Sequence, residues 1–426
     1  MPRNRRKIVN IGFISTRIAG TDGVSLEITK WADVLERNQY HCFYFAGKLD
    51  RPAERSYLVE EAFFEHPEIQ KINQYSFGKS IRPREISELI QGLKDYLKQK
   101  IYEFVHTFNI HLIIPENALA IPMNIPLGLA ITEFIAETGI PTIAHHHDFY
   151  WERNRFLVNG VLDYIDRSFP PFLPSIRHVV INSIASEQLS HRKGISNTLI
   201  PNVLDFAHPP KEETSHCQKL RELIGLQPDD LFILQPTRIV PRKWIERAVE
   251  IVHLMNIPNP KLVISHASGD EGDTYFNRVM EYAGNLGVEI VAIDHLIGPE
   301  RRFNQHTLFT IGDVYQCADL VTYPSGYEGF GNAFLEAIYY RRPIVVNRYS
   351  IYIVDIEPKG FDVIPIDGFV TRDTIARIWD VLKNPQRRQT MVETNYQKAL
   401  KYFSYEVLER RLLYLIREFE KDRGAG

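Results

Sequence analysis

Short runs of apolar and β-branched residues alternate along the chain with stretches in which apolar positions recur every three or four residues. In the first half the runs at 8–14, 41–46, 111–115, 141–145, 178–182 and 198–201 predict strands. In the second half the runs at 231–234, 261–264, 288–293, 320–323 and 343–347 do the same. Amphipathic helices are predicted between them. The clearest covers 84–106, where Ile86, Leu89, Ile90, Leu93, Leu97, Ile101 and Phe104 share one face. Strand and helix alternating in this way argue for βαβ units and parallel sheets.

A chain of 426 residues has room for two such domains. The polar, proline-containing stretch Ala207 to Ser215 is the candidate linker, which puts a boundary near residue 206. Each half reads as a doubly wound α/β domain, and open sheets of that kind bind ligands beyond the carboxyl ends of their strands. Two of them facing each other would form a cleft walled by strand-end loops.

Composition narrows the class. Hydrophobic residues make up 44%, charged residues 24%, and the formal charge is -3, which fits neither a disordered chain nor a broadly basic nucleic-acid binder. The basic group Arg3, Arg5, Arg6 and Lys7 reads as a solvated end rather than a membrane contact. Cys42, Cys217 and Cys317 lack paired spacing, so neither a disulfide framework nor a cysteine zinc site is expected, and a reducing compartment fits. No apolar run is long enough to span a bilayer and no apolar core follows the basic N-terminus, so cytoplasmic residence is the expectation.

The chemistry concentrates in loops after predicted strands. Glu328 and Glu336 bracket Gly329-Phe330-Gly331-Asn332 just after the run at 320–323, and a helical pattern starts at Asn332. Glycines there let backbone amides approach a ligand, and amides at a helix start can meet anionic oxygens. A plain strand, loop and helix with both glutamates solvated accounts for the stretch equally well. After the first strand, Arg17, Gly20, Asp22 and Gly23 precede a helix, but without the GxGxxG pattern of a dinucleotide fold. After the fourth strand comes His145-His146-His147-Asp148-Phe149-Tyr150-Trp151-Glu152-Arg153. Neighbouring residues at a strand end point in alternating directions and cannot all reach one ion, so no metal site is expected. One histidine beside Asp148, with Phe149, Tyr150 and Trp151 offering flat faces, suits a sugar-like ligand better. At the first strand of the second half, Arg238 and Lys243 flank a loop that leads into a helix near Trp244, a suitable pair for diphosphate oxygens or else a solvated basic loop.

These motifs resemble the retaining glycosyltransferases of family 4, also known as glycosyltransferase group 1, over nearly the whole chain. The strongest part runs from Asp313 to Leu320, through Pro324-Ser325-Gly326-Tyr327-Glu328-Gly329-Phe330-Gly331, to Leu335-Glu336-Ala337 and Arg342-Pro343-Ile344-Val345, and is similar to the EGFG loop and E-x7-E motif. Thr237-Arg238 with Lys243 is similar to the family's diphosphate-binding pair, Pro201-Asn202 with Asp205 to its domain junction, and Gly23 to its N-terminal glycine loop. Two departures stand out: Thr21-Asp22-Gly23 replaces a plain glycine pair, and Val203 stands where a glycine commonly follows the junction asparagine.

The resemblance implies the GT-B fold, α/β with two Rossmann-like doubly wound domains facing each other across a cleft. It also implies a last helix, 403–419, that crosses back. The expected domains are therefore 1–205 plus 406–426 on the acceptor side and 206–405 on the nucleotide-sugar side. It further implies roles. Glu328 would sit against the donor sugar, Glu336 would hold the ribose hydroxyls, and Gly23, Gly329 and the amides of Phe330, Gly331 and Asn332 would support sugar or phosphate. Arg238 and Lys243 would stabilise the departing nucleoside diphosphate. The family's N-terminal histidine corresponds to His147, with His146 as the alternative. No cofactor is required beyond the donor, and Mg2+ is optional with no site of its own in the sequence.

Arg17, Asp22, Asp148 and Arg153, with Arg155 nearby, are the candidate acceptor-binding residues; the arginines suit an anionic acceptor such as a phosphorylated glycerate or sugar, and plain surface arginines account for them equally well. The wording Pro115-Glu116-Asn117-Ala118, Pro122-Met123-Asn124 and Asn347-Arg348-Tyr349-Ser350 is similar to bacterial enzymes of the mannosylglucosyl-phosphoglycerate synthase type. The expected activity is transfer of mannose or glucose from GDP-mannose, UDP-glucose or a like donor to a small-molecule hydroxyl. A sugar-nucleotide epimerase or hydrolase, or an idle sugar-nucleotide-binding protein, are the competing readings.

Overall fold

The structure is a computed structural model that describes residues 8–211, 213–266, 273–303 and 307–422. The basic group Arg3 to Lys7 and Glu212 of the candidate linker lie outside the described residues. The chain divides into two compact units, Met1–Asn202 with Tyr405–Gly426, and Val203–Ser404. The division falls a few residues from the sequence-based boundaries.

The first unit is built on a seven-stranded sheet of β1 (Asn10–Ile14), β2 (His41–Ala46), β3 (Ser56–Leu58), β4 (Leu112–Pro115), β5 (Thr142–His146), β6 (Ile176–Val180) and β7 (Asn197–Leu199), in the order β3-β2-β1-β4-β5-β6-β7. Every pair is parallel. The helix Arg84–Thr107 covers the predicted span, with Ile86, Ile90, Leu93, Leu97, Ile101 and Phe104 buried. Each such side chain contributes about 1.5–3 kcal/mol by leaving water. Phe104 packs so closely on β1 that a Cβ at Gly12 would lie 2.7 Å from its ring. The last helix, Tyr405–Asp422, belongs to this unit, where Arg37 stacks over Tyr405 at 5.0 Å and Arg177 over Phe419 at 5.0 Å.

The second unit has a six-stranded parallel sheet of β8 (Ile233–Gln235), β9 (Lys261–Ile264), β10 (Glu289–Ala292), β13 (Leu320–Tyr323), β14 (Ile344–Asn347) and β15 (Ile364–Ile366), ordered β10-β9-β8-β13-β14-β15. A small antiparallel pair, β11 (Arg302–Phe303) and β12 (Thr307–Leu308), stands apart. In each sheet the order reverses direction beside the first strand, at β1/β4 and β8/β13. Those are the topological switch points where α/β sheets leave room for a ligand.

Several expectations need correction. β3 and β15, three-residue strands at the sheet edges, are absent from the predicted set. The stretch 207–215 is no free linker. Glu213 accepts an ion pair from Arg301 at 2.8 Å, and the Gln316 side chain bonds the backbone of Glu213 and Lys211 at 3.1 Å each. Cys217 and Cys317 form a disulfide. Their separation of 100 residues gave no sign of it, because only the packing of helix Cys217–Leu223 beside helix Ile311–Cys317 brings them together. A disulfide in place of free thiols removes the cysteine-based reason to expect a reducing compartment.

Candidate active site

In the second unit, the chain leaving β8 is fixed by buried polar ties: Thr322 of β13 donates to Gln235 Oε1 at 2.7 Å, and Gln235 Nε2 to Thr237 Oγ1 at 2.8 Å. Arg238, next in line, is exposed. A 3-10 turn, Pro241–Lys243, follows, and Trp244 in the left-handed region (φ 48°) turns the chain into helix Ile245–Leu254. Lys243 points inward from that turn.

Its partner is Glu328, in the loop after β13. Lys243 Nζ pairs with Glu328 Oε1, Arg242 Nη1 reaches Oε2 at 2.8 Å, and the same Arg242 nitrogen donates to the Tyr327 carbonyl at 3.3 Å. Glu328 is 6% exposed, which rules out the reading of a solvated loop glutamate. Burial pushes its carboxyl up, but the charges of Lys243 and Arg242 outweigh this and hold it below the usual carboxylate range. Burial likewise pushes the Lys243 ammonium down; Glu328 offsets this in part, while Arg242 and Arg238 add to it. One carboxylate among three cations leaves the switch point locally positive, the sign that attracts a diphosphate.

The rest of the loop is held rigidly. Asn347 of β14 donates to the Ser325 carbonyl at 2.9 Å, and Tyr349 to the Phe330 carbonyl at 2.7 Å. The Phe330 ring is buried edge-on against Phe403 at 5.4 Å, so only its backbone is placed to serve a ligand. Gly331 has φ 120°, and a Cβ there would lie 2.4 Å from Tyr349 Oη, so glycine is required on two counts. Gly329 lies between these anchors, half-buried. Helix Asn332–Tyr339 then begins, and Glu336 on it accepts a bond at 2.8 Å from the buried Tyr315 hydroxyl.

In the first unit, the predicted residues fall into two groups. Asp22 caps helix Gly23–Arg37, accepting from the amides of Val24 and Ser25 at 3.2 and 3.3 Å, and pairs with Arg17 at 3.2 Å. Gly23 is the exposed first residue of that helix. The second group follows β4 and β5. Strand alternation sends His145 and His147 to one face and His146 to the other. His145 Nδ1 and His147 Nε2 lie 2.9 and 3.1 Å from Glu116 Oε2, whereas His146 Nε2 meets His178 Nδ1 at 2.9 Å. His146 is fully enclosed, and His147 keeps 11% of its side chain exposed.

Asp148 bonds Asn117 Nδ2 at 2.8 Å and pairs with Arg153 Nε. Arg155 is exposed and lies over the Phe156 ring at 4.5 Å. Phe149, expected to offer a flat face, instead has no exposed surface and packs on Trp151 and His146. Glu116, His145 and His147 have donor atoms within 4.8 Å of one another, a set with metal-ligand chemistry that the sequence reading did not assemble because Glu116 comes from another strand. The buried Nε2 of His145 has no partner among the described residues, and a ligated imidazole ordinarily bonds outward through its second nitrogen. The spacings are those of ordinary hydrogen bonds.

Sequence reading also missed Arg242, Tyr315 and His266. Arg242 adjoins a flagged lysine, and Tyr315 lies inside the quoted 313–320 stretch. His266 follows β9, where its Nδ1 meets Ser265 Oγ at 2.8 Å. Burial, then the nearby charges of Lys243 and Arg238, push its pKa down. Nothing in its local sequence marks it.

Two parallel-sheet α/β units with this loop at a switch point define the class: a glycosyltransferase of the GT-B fold. The solved glycosyltransferase from Rickettsia africae ESF-5 superposes with a TM-score of 0.68 at 13% identity, covering 96% of this chain and 98% of that one. Residues 218–398 match the model of the family described as Glycosyl transferases group 1. The chain is 30% identical to mannosylglucosylglycerate synthase of Thermotoga maritima over 94% of its length and 98% of the relative's. To the enzyme of the same name from Petrotoga mobilis it is 32% identical, over 84% of this chain and 86% of that one. The chain belongs to the group 1 glycosyltransferases and is a sugar transferase.

Proposed function

We propose that this enzyme is a retaining, family 4 transferase that moves mannose or glucose from a nucleoside diphosphate sugar to a hydroxyl of a small anionic acceptor. The observation that carries the reading is Arg242 and Lys243 paired with a buried Glu328 at the β8/β13 switch point, with the charge of Arg238 felt at Lys243. Glycosyl transfer builds positive charge on the sugar ring and negative charge on the leaving diphosphate. Arg238 and Lys243 would meet the diphosphate, worth most where water is excluded. Glu328 would face the sugar, Glu336 the ribose, and Gly23, Gly329 and the amides of Phe330, Gly331 and Asn332 the sugar or phosphate oxygens. His147 would meet the transferred sugar. No side chain is placed to serve as a covalent nucleophile in this scheme; the acceptor attacks from the leaving-group side and passes its proton to a diphosphate oxygen. Mg2+ is not assigned a step.

The acceptor is the finer part. Both relatives are named for a mannosylglucosylglycerate, with no phosphate in the name. We therefore favour an acceptor that bears a glycerate carboxylate, met by Arg17 and Arg153 with Asp22 and Asp148 orienting them. The test is incubation with GDP-mannose or UDP-glucose and candidate acceptors, following diphosphate release and product mass. Acceptor-dependent release with net transfer is expected. Release that never depends on an acceptor would instead identify a hydrolase, and rearranged sugar an epimerase.

A further inference from the structure

The carboxylate of Glu116 has no exposed surface, and one oxygen, Oε2, serves two rings. An ionised carboxylate only accepts hydrogen bonds. The ring nitrogens that face it must then both carry hydrogen, Nδ1 on His145 and Nε2 on His147. For His147 this fixes what the rest of the ring offers. Its Nδ1 has no protein partner among the described residues, and its ring is the one of the three neighbouring histidines that reaches the surface.

The residue after Glu116 completes the hold. Asn117, in the left-handed region at φ 56°, uses Oδ1 to accept from the His147 backbone amide at 3.0 Å and Nδ2 to reach Asp148 at 2.8 Å. Asparagine tolerates that backbone better than most residues. His145, stacked on Trp31 at 4.1 Å, shares the same carboxylate oxygen as His147. Ring and main chain of His147 are thus gripped by two consecutive residues from a different strand end.

We propose that Glu116 is a positioning residue that locks His147 as the Nε2–H tautomer, so that Nδ1 is the ring atom presented to a sugar hydroxyl. The proposal rests on the reading of His147 as a group that meets the transferred sugar. In that state Nδ1 accepts the hydroxyl hydrogen, whereas the other tautomer would present an N–H donor there instead. Glu116→Gln keeps the volume but can offer an amide N–H, which removes the lock.

The experiment is a long-range 1H–15N spectrum of protein labelled at histidine nitrogens. It is recorded at about pH 9, above the ordinary histidine pKa of about 6.5, with His147→Gln assigning the resonance. Wild type is expected to show His147 with Nε2 protonated and Nδ1 bare. Glu116→Gln should move it toward the other tautomer and lower kcat roughly 10- to 100-fold with little change in donor KM, as removal of a partner that orients a working imidazole does. A bare Nε2 in wild type overturns the proposal, and that spectrum decides even if Glu116→Gln does not fold. If His147→Gln loses transfer while Glu116→Gln changes neither tautomer nor rate, the positioning role fails and the role of His147 stands. If the tautomer moves but neither variant slows transfer, the reading of His147 fails and takes the positioning role with it.

Discussion

Lys243 and Glu328 form a buried ion pair between the loop after β8 and the loop after β13, with Arg242 on the second carboxylate oxygen. Two residues 85 apart in sequence are thereby joined at the point where the sheet order reverses. On the proposed reading the pair is structural and chemical at once, because a diphosphate meeting Lys243 would compete with Glu328 for the ammonium.

Lys243→Ala should therefore fail in two measurable ways. Loss of one partner of a buried pair costs roughly 3–5 kcal/mol, and loss of one charge donor to a leaving group lowers kcat by about 10²–10³. Urea unfolding and steady-state kinetics read the two separately. A variant with normal stability would show that the buried pair does not bind the loops together.

Arg238→Ala makes the contrasting case. Arg238 is exposed, so its removal should leave stability within about 0.5 kcal/mol. Its effect on kcat/KM for the nucleotide sugar should still be about 10²-fold or more. Near-normal turnover in both this variant and Lys243→Ala would sink the diphosphate assignment.

Reduction of Cys217–Cys317 should loosen the second unit. Closing a loop of 100 residues is worth about 4.7 kcal/mol in the chain-entropy account, an upper figure for what the bond supplies. The double variant Cys217→Ser/Cys317→Ser, or wild type with a reductant, should show a lower urea midpoint. The two should agree, and reductant should have no effect on the double variant. An unchanged midpoint would mean the fold holds these helices without the bond.

Acid should weaken the first unit through His146 and His178. Burial pushes both rings down, His178 to about 4 and His146 well below its ordinary value, where His145 and His178 add to the effect. Unfolded, both would titrate near 6.5, so the unfolded chain binds more protons between about pH 4 and 6.5. Stability must fall as pH drops through that window, by up to about 1.4 kcal/mol per pH unit for each ring. His147 runs the other way: burial lowers its pKa, but Glu116 outweighs this and raises it, so its contribution is lost as pH rises above its ordinary value. Urea unfolding of wild type and His178→Leu across the acid window tests this. Equal slopes for the two proteins would remove the histidine pair from the account.

Much of this architecture is written in local periodicity. Most sheet strands and the long helix at 84–107 announce themselves, since apolar spacing needs only neighbours in sequence. What escaped depends on contacts between distant segments. Glu116 gains meaning only beside His145 and His147, Tyr315 only beside Glu336, and Cys217 only when helix packing brings Cys317 to it. Phe149 was misjudged for the same reason, because an aromatic next to a site looks alike in sequence whether it faces the site or the core. Resemblance supplied the return of the last helix, which no periodicity could assign to a particular unit.

That return has a consequence for synthesis on the ribosome. The helix Tyr405–Asp422 packs with the helix Gly23–Arg37, and Arg411 reaches the Leu199 carbonyl, so the first unit contains a part that is translated last. Domains commonly fold in the order they emerge. Here the earlier one must wait, with the surface for its final helix uncovered, until the whole of Val203–Ser404 has been made.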